Sequence, residues 1–294
     1  MRAVITYALF PVWFALAFAV AGLALRRGWS TSATLAGITA ATVAIIAIAE
    51  RVHPAHAEWN RARGDVRTDL IHGLVSMITL PAVLEIALTA ALLSVATRLS
   101  GAVGFALWPT HWPLWLQLPL ALLISQFGEY WLHRLMHERP LLWRLHATHH
   151  SPERLYWLNA ARFHPLDTAL TYTNSLSVLL VLGAGPEVLF LQAVWMAVHG
   201  LFQHCNVHLR LGPLNYVFSM AELHRWHHSP RLEEANANYG NNIIFWDLVF
   251  GTFFHPRDRD ADPAVGLHDP AVFPRGYLGQ IASPFAWARL TRPR

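Results

Sequence analysis

The sequence predicts an all-α, polytopic helical membrane protein with a cytosolic histidine-rich cap over the transmembrane helices. Composition is the first reason: of 294 residues, 54% are hydrophobic and only 14% are charged, against about 25% charged in an average soluble domain. Long apolar stretches are the second, and histidines gathered beyond the ends of those stretches are the third. Because no linker long enough to separate two domains interrupts the chain, we predict a single integral membrane domain over 1–294.

The apolar stretches set the number of predicted transmembrane helices. A bilayer crossing needs about 20 apolar residues, so the first, third and fourth stretches fit well, whereas the second is marginal. The last two are also marginal and could form a re-entrant hairpin or two short helices sheltered by neighbours. A signal peptide at Met1–Leu25 is the alternative for the first, although its apolar run exceeds the usual core of about 7–15 residues. The stretches lie at about 3–25, 33–49, 70–96, 112–132, 168–183 and 187–203.

Arginines predict the orientation in the membrane, because cytoplasmic loops carry the excess of positive charge. The chain has no lysine, and we interpret its arginines as topology signals and predict no nucleic-acid partner. Both termini and all histidine patterns are then cytoplasmic, in a bacterial inner membrane. The opposite loops contain only Arg26, Arg27 and Arg98. The cytoplasmic set comprises Arg51, Arg61, Arg63, Arg67, Arg134, Arg139, Arg144, Arg154 and Arg162.

Histidines recur in three patterns, HxxxH, HxxHH and HxxHH. Residues three or four apart lie on one face of a helix, and Pro140 and Pro152 predict where the first two helices end or bend. A lone histidine is usually an ordinary core or surface residue, but three such patterns in one apolar chain indicate a metal site. The patterns comprise His133 and His137; His146, His149 and His150; and His224, His227 and His228.

Coordination chemistry predicts how many ions these histidines bind. Tetrahedral zinc takes three or four protein ligands, so eight histidines are too many for one ion, and two ions with four or five imidazoles each would use them all. Imidazole suits iron, zinc, copper and nickel alike, which leaves the element open. With Cys205 as the single cysteine, any Cys₄ zinc or iron–sulfur site is excluded.

A set of motifs resembles the fatty acid hydroxylase superfamily, also called the sterol desaturase family, in its bacterial branch. They are EYWLHRLMH, HATHHS, NAARFHP, FQHCN, HRWHHS, NYG and WDLVFGT. The resemblance covers about 125–255, the predicted catalytic region. It implies an all-histidine dimetal centre with two iron ions, which zinc can replace on overexpression. It also implies that O₂ and external electrons are used to hydroxylate or desaturate a lipid from the bilayer.

The resemblance also assigns roles to individual residues. It assigns metal binding to the eight histidines above and adds His204 of FQHCN. One departure is the first pattern, which is HxxxH here and HxxxxH in fatty acid 2-hydroxylases; another is that the chain lacks their cytochrome b5 domain. Six further residues match family positions and are expected to hydrogen-bond ligand imidazoles. The alternative is a tenth metal ligand for His164 and a helix cap or turn for the other five. They are Asn159, Arg162, His164, Asn206, Asn238 and Asp247.

Several functions stay open at this point. The rival from another class is a non-catalytic membrane metal- or haem-binding protein. Within the enzymes, the alternatives are sterol or hopanoid oxidation, carotenoid hydroxylation, aminolipid hydroxylation and pterin-dependent ether-lipid oxidation. Because the sequence contains no CxxCH and no dinucleotide-binding GxGxxG, the electrons are expected to come from a separate donor protein.

Overall fold

The computed structural model of this chain describes residues 1–268 and 273–290. Within those residues the only β-structure is two isolated bridges, Pro54 with Val207 and Phe218 with Ile243, so the all-α prediction is confirmed. As far as Gln203 the helices are α1 (Arg2–Arg27), α2 (Thr31–Val52), α3 (Val66–His72), α4 (Leu80–Val103), α5 (Leu114–Glu138), α6 (Pro140–His150), α7 (Pro165–Leu182) and α8 (Pro186–Gln203). The helices after Gln203 are short: α9 (Ala221–His227), α10 (Leu232–Ala235), α11 (Phe245–Phe250), α12 (Tyr277–Ala282) and α13 (Trp287–Leu290).

In the part of the chain that the structure describes, three helical segments are long and apolar enough to cross a membrane: Arg2–Arg27, Thr31–Val52 and Val66–Val103. The last is continuous, because a π-helical turn at Gly73–Thr79 joins α3 to α4. Its apolar side chains face outward, as Ile86 at 74% exposure illustrates. An apolar surface of this kind suits lipid rather than water. The second apolar stretch, at 33–49, is marginal by sequence but is a candidate membrane span in the structure, like the first and the third.

Helix α5, expected from the stretch 112–132 to be a further crossing, is not among these three. It runs for 25 residues but carries Gln117, Gln126 and Glu129, which are all buried. Their burial is possible because α7 and α8 pack against this helix. Polar groups within a span face the protein interior rather than lipid, and the packing of α5 follows that rule.

The two weaker stretches form a pair of helices, α7 and α8, of 18 residues each. Gly183 ends α7 with a φ of 84°, a left-handed conformation that glycine adopts at little cost. Pro186 then starts α8, at a helical position where no backbone N–H is needed. Since α7 packs on α4 and α5 while α8 packs on α1 and α2, neighbours shelter both helices.

The histidine-rich cap lies where α5 ends. Pro140 begins α6 directly after α5 has ended at Glu138, which confirms the break predicted at that proline. The patterns therefore occupy the end of α5, the end of α6 and the end of α9, with His228 just beyond α9 and His204 just beyond α8. Residues 291–294, and with them the predicted cytoplasmic C-terminus, lie outside the described residues.

Candidate metal centre

All nine histidines that the resemblance assigns to metal binding converge in the structure, in one group of five and one group of four. Within each group, one nitrogen from every imidazole lies within 4.8 Å of the corresponding nitrogens of the others. Eight of the nine side chains are buried, and that of His137 is partly buried. Group one is His133, His137, His146, His150 and His227; group two is His149, His204, His224 and His228.

Helical geometry explains this partition. Residues four apart lie one turn above each other, whereas consecutive residues point about 100° apart. Accordingly His146 and His150 share group one while His149 faces group two, and His224 and His228 share group two while His227 faces group one. Each of the two HxxHH patterns thus contributes to both groups, which holds the groups side by side.

In group one, the second ring nitrogen of four imidazoles has a protein acceptor. His133 donates Nδ1–H to the carbonyl of Tyr239 at 2.7 Å, and His227 donates Nδ1–H to the carbonyl of Ala237 at 2.8 Å. The remaining two donate to side chains. His146 Nδ1 lies 2.8 Å from Asp167 Oδ2, and His137 Nδ1 lies 3.3 Å from Asn236 Oδ1. Such bonds fix the tautomer and the orientation of a ring, as they do around metal ligands.

The opposite ring nitrogens of group one face each other at very short range. His133 Nε2 lies 3.0 Å from His146 Nε2 and 3.0 Å from His227 Nε2. Carbonyl oxygens cannot donate, so His133 and His227 carry their hydrogen on Nδ1, and each neutral ring presents a lone pair at Nε2. Lone pairs at this distance repel one another unless a cation lies between them. The donor set therefore fits a metal ion: two nitrogens about 2.1 Å from one ion and at right angles are about 3.0 Å apart.

The Nε2 atoms of group two also meet at short range, but fewer hydrogen bonds hold the opposite ring nitrogens. His224 Nε2 lies 2.9 Å from His204 Nε2 and 3.0 Å from His228 Nε2. Within the described part of the chain, His204 alone in this group has a side-chain acceptor at Nδ1, namely Asn159 Oδ1 at 3.2 Å. The Nδ1 atoms of His149, His224 and His228 are buried without a hydrogen-bond partner among the described residues. Four imidazoles are enough ligands to hold one metal ion.

Burial keeps these imidazoles neutral. It lowers the pKa of His224 and of His228 well below the ordinary value of 6.5, and it lowers the pKa of His227 to about 3. Neighbouring imidazoles add to the effect at His224 and His228, because a second positive charge nearby is unfavourable. All three rings are therefore neutral at pH 7, which is the form that binds a metal.

The two groups touch each other directly. His150 of group one stacks on His228 of group two, with ring centroids 4.4 Å apart. On the outer side, His149 stacks on Phe163 at 4.0 Å with an angle of 12° between the rings. Phe163 thereby fills the space on one side of group two with apolar surface. The groups form one buried compartment rather than two distant sites.

Of the six residues expected to hydrogen-bond ligand imidazoles, Asn159 does so: its side-chain oxygen accepts from His204 Nδ1. Asp247 contacts no ligand imidazole and acts through the backbone. Its carboxylate accepts the backbone N–H groups of Tyr239 and Gly240, each at 2.7 Å. Because the Tyr239 carbonyl accepts from His133, Asp247 holds in place the backbone that orients a group-one ring.

The other four have different partners among the described residues, so the predicted bonds to imidazoles are not found there. Arg162 donates to Asp69 at 2.5 Å, and Asn206 bonds to the backbone of His56. Asn238 bonds the backbone carbonyls of Leu223 and Phe254 in a left-handed turn with φ 54°. His164 accepts the N–H of Leu166 at 3.1 Å and donates to the carbonyl of Ile281 at 3.1 Å. His164 therefore caps α7 and Asn238 forms a turn, whereas Arg162 pairs with a carboxylate and Asn206 joins two distant segments of the chain.

For His164→Ala we therefore expect lower stability with full metal content. The ring caps α7, and losing a cap costs about 0.5–2 kcal/mol. His164→Asn, which retains a capping oxygen, is the matched variant and should recover part of the loss. Thermal midpoints and metal content of both variants in detergent test this. Metal loss in His164→Ala at unchanged thermal midpoint would show that the ring acts on the centre instead.

Two contact residues were missed by sequence reasoning, Asp167 and Asn236. Asp167 is 1% exposed and lies in the first turn of α7, where an acidic residue ordinarily indicates only a favourable helix-dipole interaction. The sequence signal that could have identified Asp167 is its position three residues after His164 of the HP motif. Asn236 sits in the NANYG segment, where asparagines look like turn residues.

The family model for fatty acid hydroxylases matches residues 118–252. An ornithine lipid hydroxylase from Rhizobium tropici is 41% identical over 248 residues, which are 83% of this chain and 73% of the relative. The chain belongs to the fatty acid hydroxylase family.

Other relatives share shorter segments. An alkylglycerol monooxygenase from Danio rerio is 31% identical over 62% of this chain and 39% of its own length. A Δ7-sterol-C5(6)-desaturase from Nicotiana tabacum is 32% identical over 48% of this chain and 50% of its own length. This hydroxylase-family chain thus spans half or less of those two relatives, while no solved structure matches it.

Membership of the family bears on three predictions: the enzyme class, the metal and the location in a membrane. The relatives are hydroxylases, monooxygenases and desaturases, so the chain is an oxidoreductase of a lipid-modifying family. The family consists of iron-dependent oxygenases, and the histidine groups fit metal binding. Membrane association follows from the three apolar helical segments together with the family.

Proposed function

We propose that this protein is a membrane-bound di-iron oxygenase that hydroxylates an ornithine-type aminolipid, using O₂ and electrons from a separate protein. The observation that carries the proposal is the meeting of Nε2 atoms at 2.9–3.0 Å in two adjoining imidazole groups. In group one, where backbone carbonyls fix the hydrogens of His133 and His227 on Nδ1, the facing Nε2 lone pairs favour a cation between them. Two groups side by side suit two ions acting on one O₂ molecule.

The ligands in this proposal are the nine imidazoles, five for one iron and four for the other. When bound, the two ions supply the activation of O₂ that oxidation of an unactivated C–H bond needs. The protein's own residues fix the orientation of the ligand imidazoles. Asp167 and the Tyr239 carbonyl orient group-one rings, and Asn159 orients His204.

Exclusion of water is the second task of the protein. An oxidising centre that meets bulk water is prone to side reactions, and a dry compartment also strengthens electrostatic interactions within it. Phe163 covers His149, while Trp143 lies 5.5 Å from His150. The lowered pKa of the His227 ring keeps protons from competing with the metal at neutral pH.

The substrate class rests on the ornithine lipid hydroxylase from Rhizobium tropici, since that relative matches over most of both chains. The alkylglycerol monooxygenases and sterol oxidases match over smaller parts. An aminolipid therefore ranks ahead of the other lipids that the sequence left open. The proposal assigns the supply of electrons to a separate donor protein.

The test is expression in a bacterium that makes ornithine lipids but does not hydroxylate them. Lipid mass spectrometry under isotope-labelled O₂ should find a product that carries one labelled oxygen. His227→Ala, expressed to the same level, is the matched control and should give none. Oxidised sterols or ether lipids in place of the aminolipid product would redirect the substrate assignment. A strong Soret band in the purified protein would instead favour haem binding.

The proposed orientation puts the metal centre in the cytoplasm of the bacterial inner membrane. Arg154 bonds Asp65 at 2.6 Å, so the loop before α3, which carries Arg61 and Arg63, lies at the same end of the molecule as α6. Reporter fusions after Arg67 and at the C-terminus are expected to report cytoplasm, and a fusion after Arg98 to report periplasm. Periplasmic activity of either of the first two fusions would reverse the topology.

A further inference from the structure

An apolar cavity of about 410 Å³ opens onto group one from the side of α10. Ligand pockets in proteins span about 300–1,000 Å³ and are mostly lined by hydrophobic side chains, so the cavity has the size and character of such a pocket. Its apolar wall includes Trp143, Leu232, Leu267, Phe273, Trp287 and Leu290.

The inner end of this cavity is formed by the metal centre itself. His137 and His150 both line it, and both belong to group one. Their Nε2 atoms are buried and have no hydrogen-bond partner among the described residues. Trp143 lies beside them, with its ring 5.2 Å from His137 and 5.5 Å from His150. A molecule in the cavity would therefore meet group one next to a tryptophan.

The outer wall comes from the C-terminal segment 273–290, which is fastened to the membrane end of the molecule. Gln280 Oε1 lies 2.9 Å from His72 Nε2, and the carbonyl of Arg275 accepts a hydrogen bond from Thr68 at 3.0 Å. His72 and Thr68 both belong to α3, which continues into the third candidate membrane span. The cavity wall and the bilayer surface are thus adjacent.

Large apolar side chains are exposed around the same region. Leu141, which follows Pro140 of the cavity lining, is 70% exposed, while Leu278 and Phe285 of the C-terminal segment are 80% and 79% exposed. Exposed apolar residues that cluster near a membrane end mark a lipid-contacting surface. An alkyl chain could pass from the bilayer along this surface into the cavity without crossing water.

We propose that the cavity binds the alkyl chain of the lipid substrate, with the segment 273–290 as its outer wall and Trp143 as the residue that sets which carbon reaches group one. The inference rests on the proposed function, because it names the site at which the same enzyme holds its substrate. An apolar lining makes a hydrocarbon chain the occupant, since polar molecules would lose hydrogen bonds there. The polar lipid headgroup stays outside, near the membrane surface.

The binding test uses photo-crosslinking to the full-length, zinc-loaded protein in vesicles that contain an ornithine lipid with a diazirine near the end of its acyl chain. Crosslinked peptides are expected from the cavity lining, above all around Leu232 and in the segment 273–290. Leu232→Trp, which narrows the cavity, should lower labelling by about fivefold or more. Leu248→Trp on α11, at a partly exposed leucine outside the cavity, is the matched control and should label normally.

A second readout follows the position of the hydroxyl group. Trp143→Leu enlarges the cavity beside group one, so the hydroxyl should move along the chain while the metal content stays unchanged. A purely structural role of Trp143 would lower yield without moving the hydroxyl. Crosslinks confined to the outer surfaces of α4 and α7, or equal labelling in the two Leu→Trp variants, would overturn the inference. Failure of the proposed function looks different: the wild-type protein would then form no oxidised lipid, whatever its labelling pattern.

Discussion

His227→Ala is expected to abolish nearly all lipid product and to lower the bound metal from about two ions to about one per chain. His227 contributes to group one, where its Nε2 lies 3.0 Å from His133 Nε2. Removing it leaves a gap beside the lone pair of His133 and one donor fewer than the five that group one supplies, whereas the four imidazoles of group two are unchanged. The membrane helices should still insert, because they depend on apolar burial and their own backbone hydrogen bonds. Elemental analysis and lipid mass spectrometry measure both effects.

Two histidines serve as controls for that variant. His111 is exposed in the loop before α5, and His111→Ala should leave activity within about twofold, on the order of 0.4 kcal/mol. His199 is fully buried in α8 but belongs to neither group, so His199→Ala matches the burial and should retain both ions. Normal activity in His227→Ala, or metal loss in His111→Ala, would mean that the centre lies elsewhere.

The second large effect is expected at Asp167. Its carboxylate accepts from His146 Nδ1 at 2.8 Å, and both side chains are at most 3% exposed. Asp167→Ala leaves that buried N–H without an acceptor and frees the ring to rotate. Loss of such a partner typically lowers metal affinity or activity by about 10–100-fold. Competition with a chelator of known affinity measures the first, and product formation the second.

Glu187 provides the matched control for Asp167. Both are acidic residues in the first turn of a helix that begins with proline, Asp167 in α7 and Glu187 in α8. Any general effect on the helix dipole should therefore appear in both variants. Glu187 is exposed, so Glu187→Ala should leave metal affinity unchanged. Equal losses in the two variants would assign the effect to helix stability rather than to the imidazole.

The sequence predicted most of the long helices because apolar composition and proline positions determine them locally. The 26-residue α1 and the breaks at Pro140 and Gly183 follow from such local signals. The surroundings of helix α5 could not be predicted in this way, because the burial of Gln126 and Glu129 depends on packing against other helices. Whether a helix faces lipid or protein is a tertiary property, which a run of apolar residues does not reveal.

The candidate site, too, could be predicted only in part from the sequence. The spacing of the histidines predicted which imidazoles could meet, and the structure brings all nine of them together. Their orienting partners were found less well, because two are backbone carbonyls, of Tyr239 and Ala237, without any side-chain signature. Asp167 is 21 residues from His146 in sequence, so its contact depends on how α7 packs against α6.

The central claim is that two metal ions lie in the two imidazole groups. Anomalous diffraction from crystals of gently purified protein, recorded at the iron and zinc absorption edges, tests it most directly, because zinc can replace iron during overexpression. We predict two anomalous peaks per chain, one among His133, His146 and His227 and one among His204, His224 and His228. A single peak, or peaks outside both groups, would contradict the account.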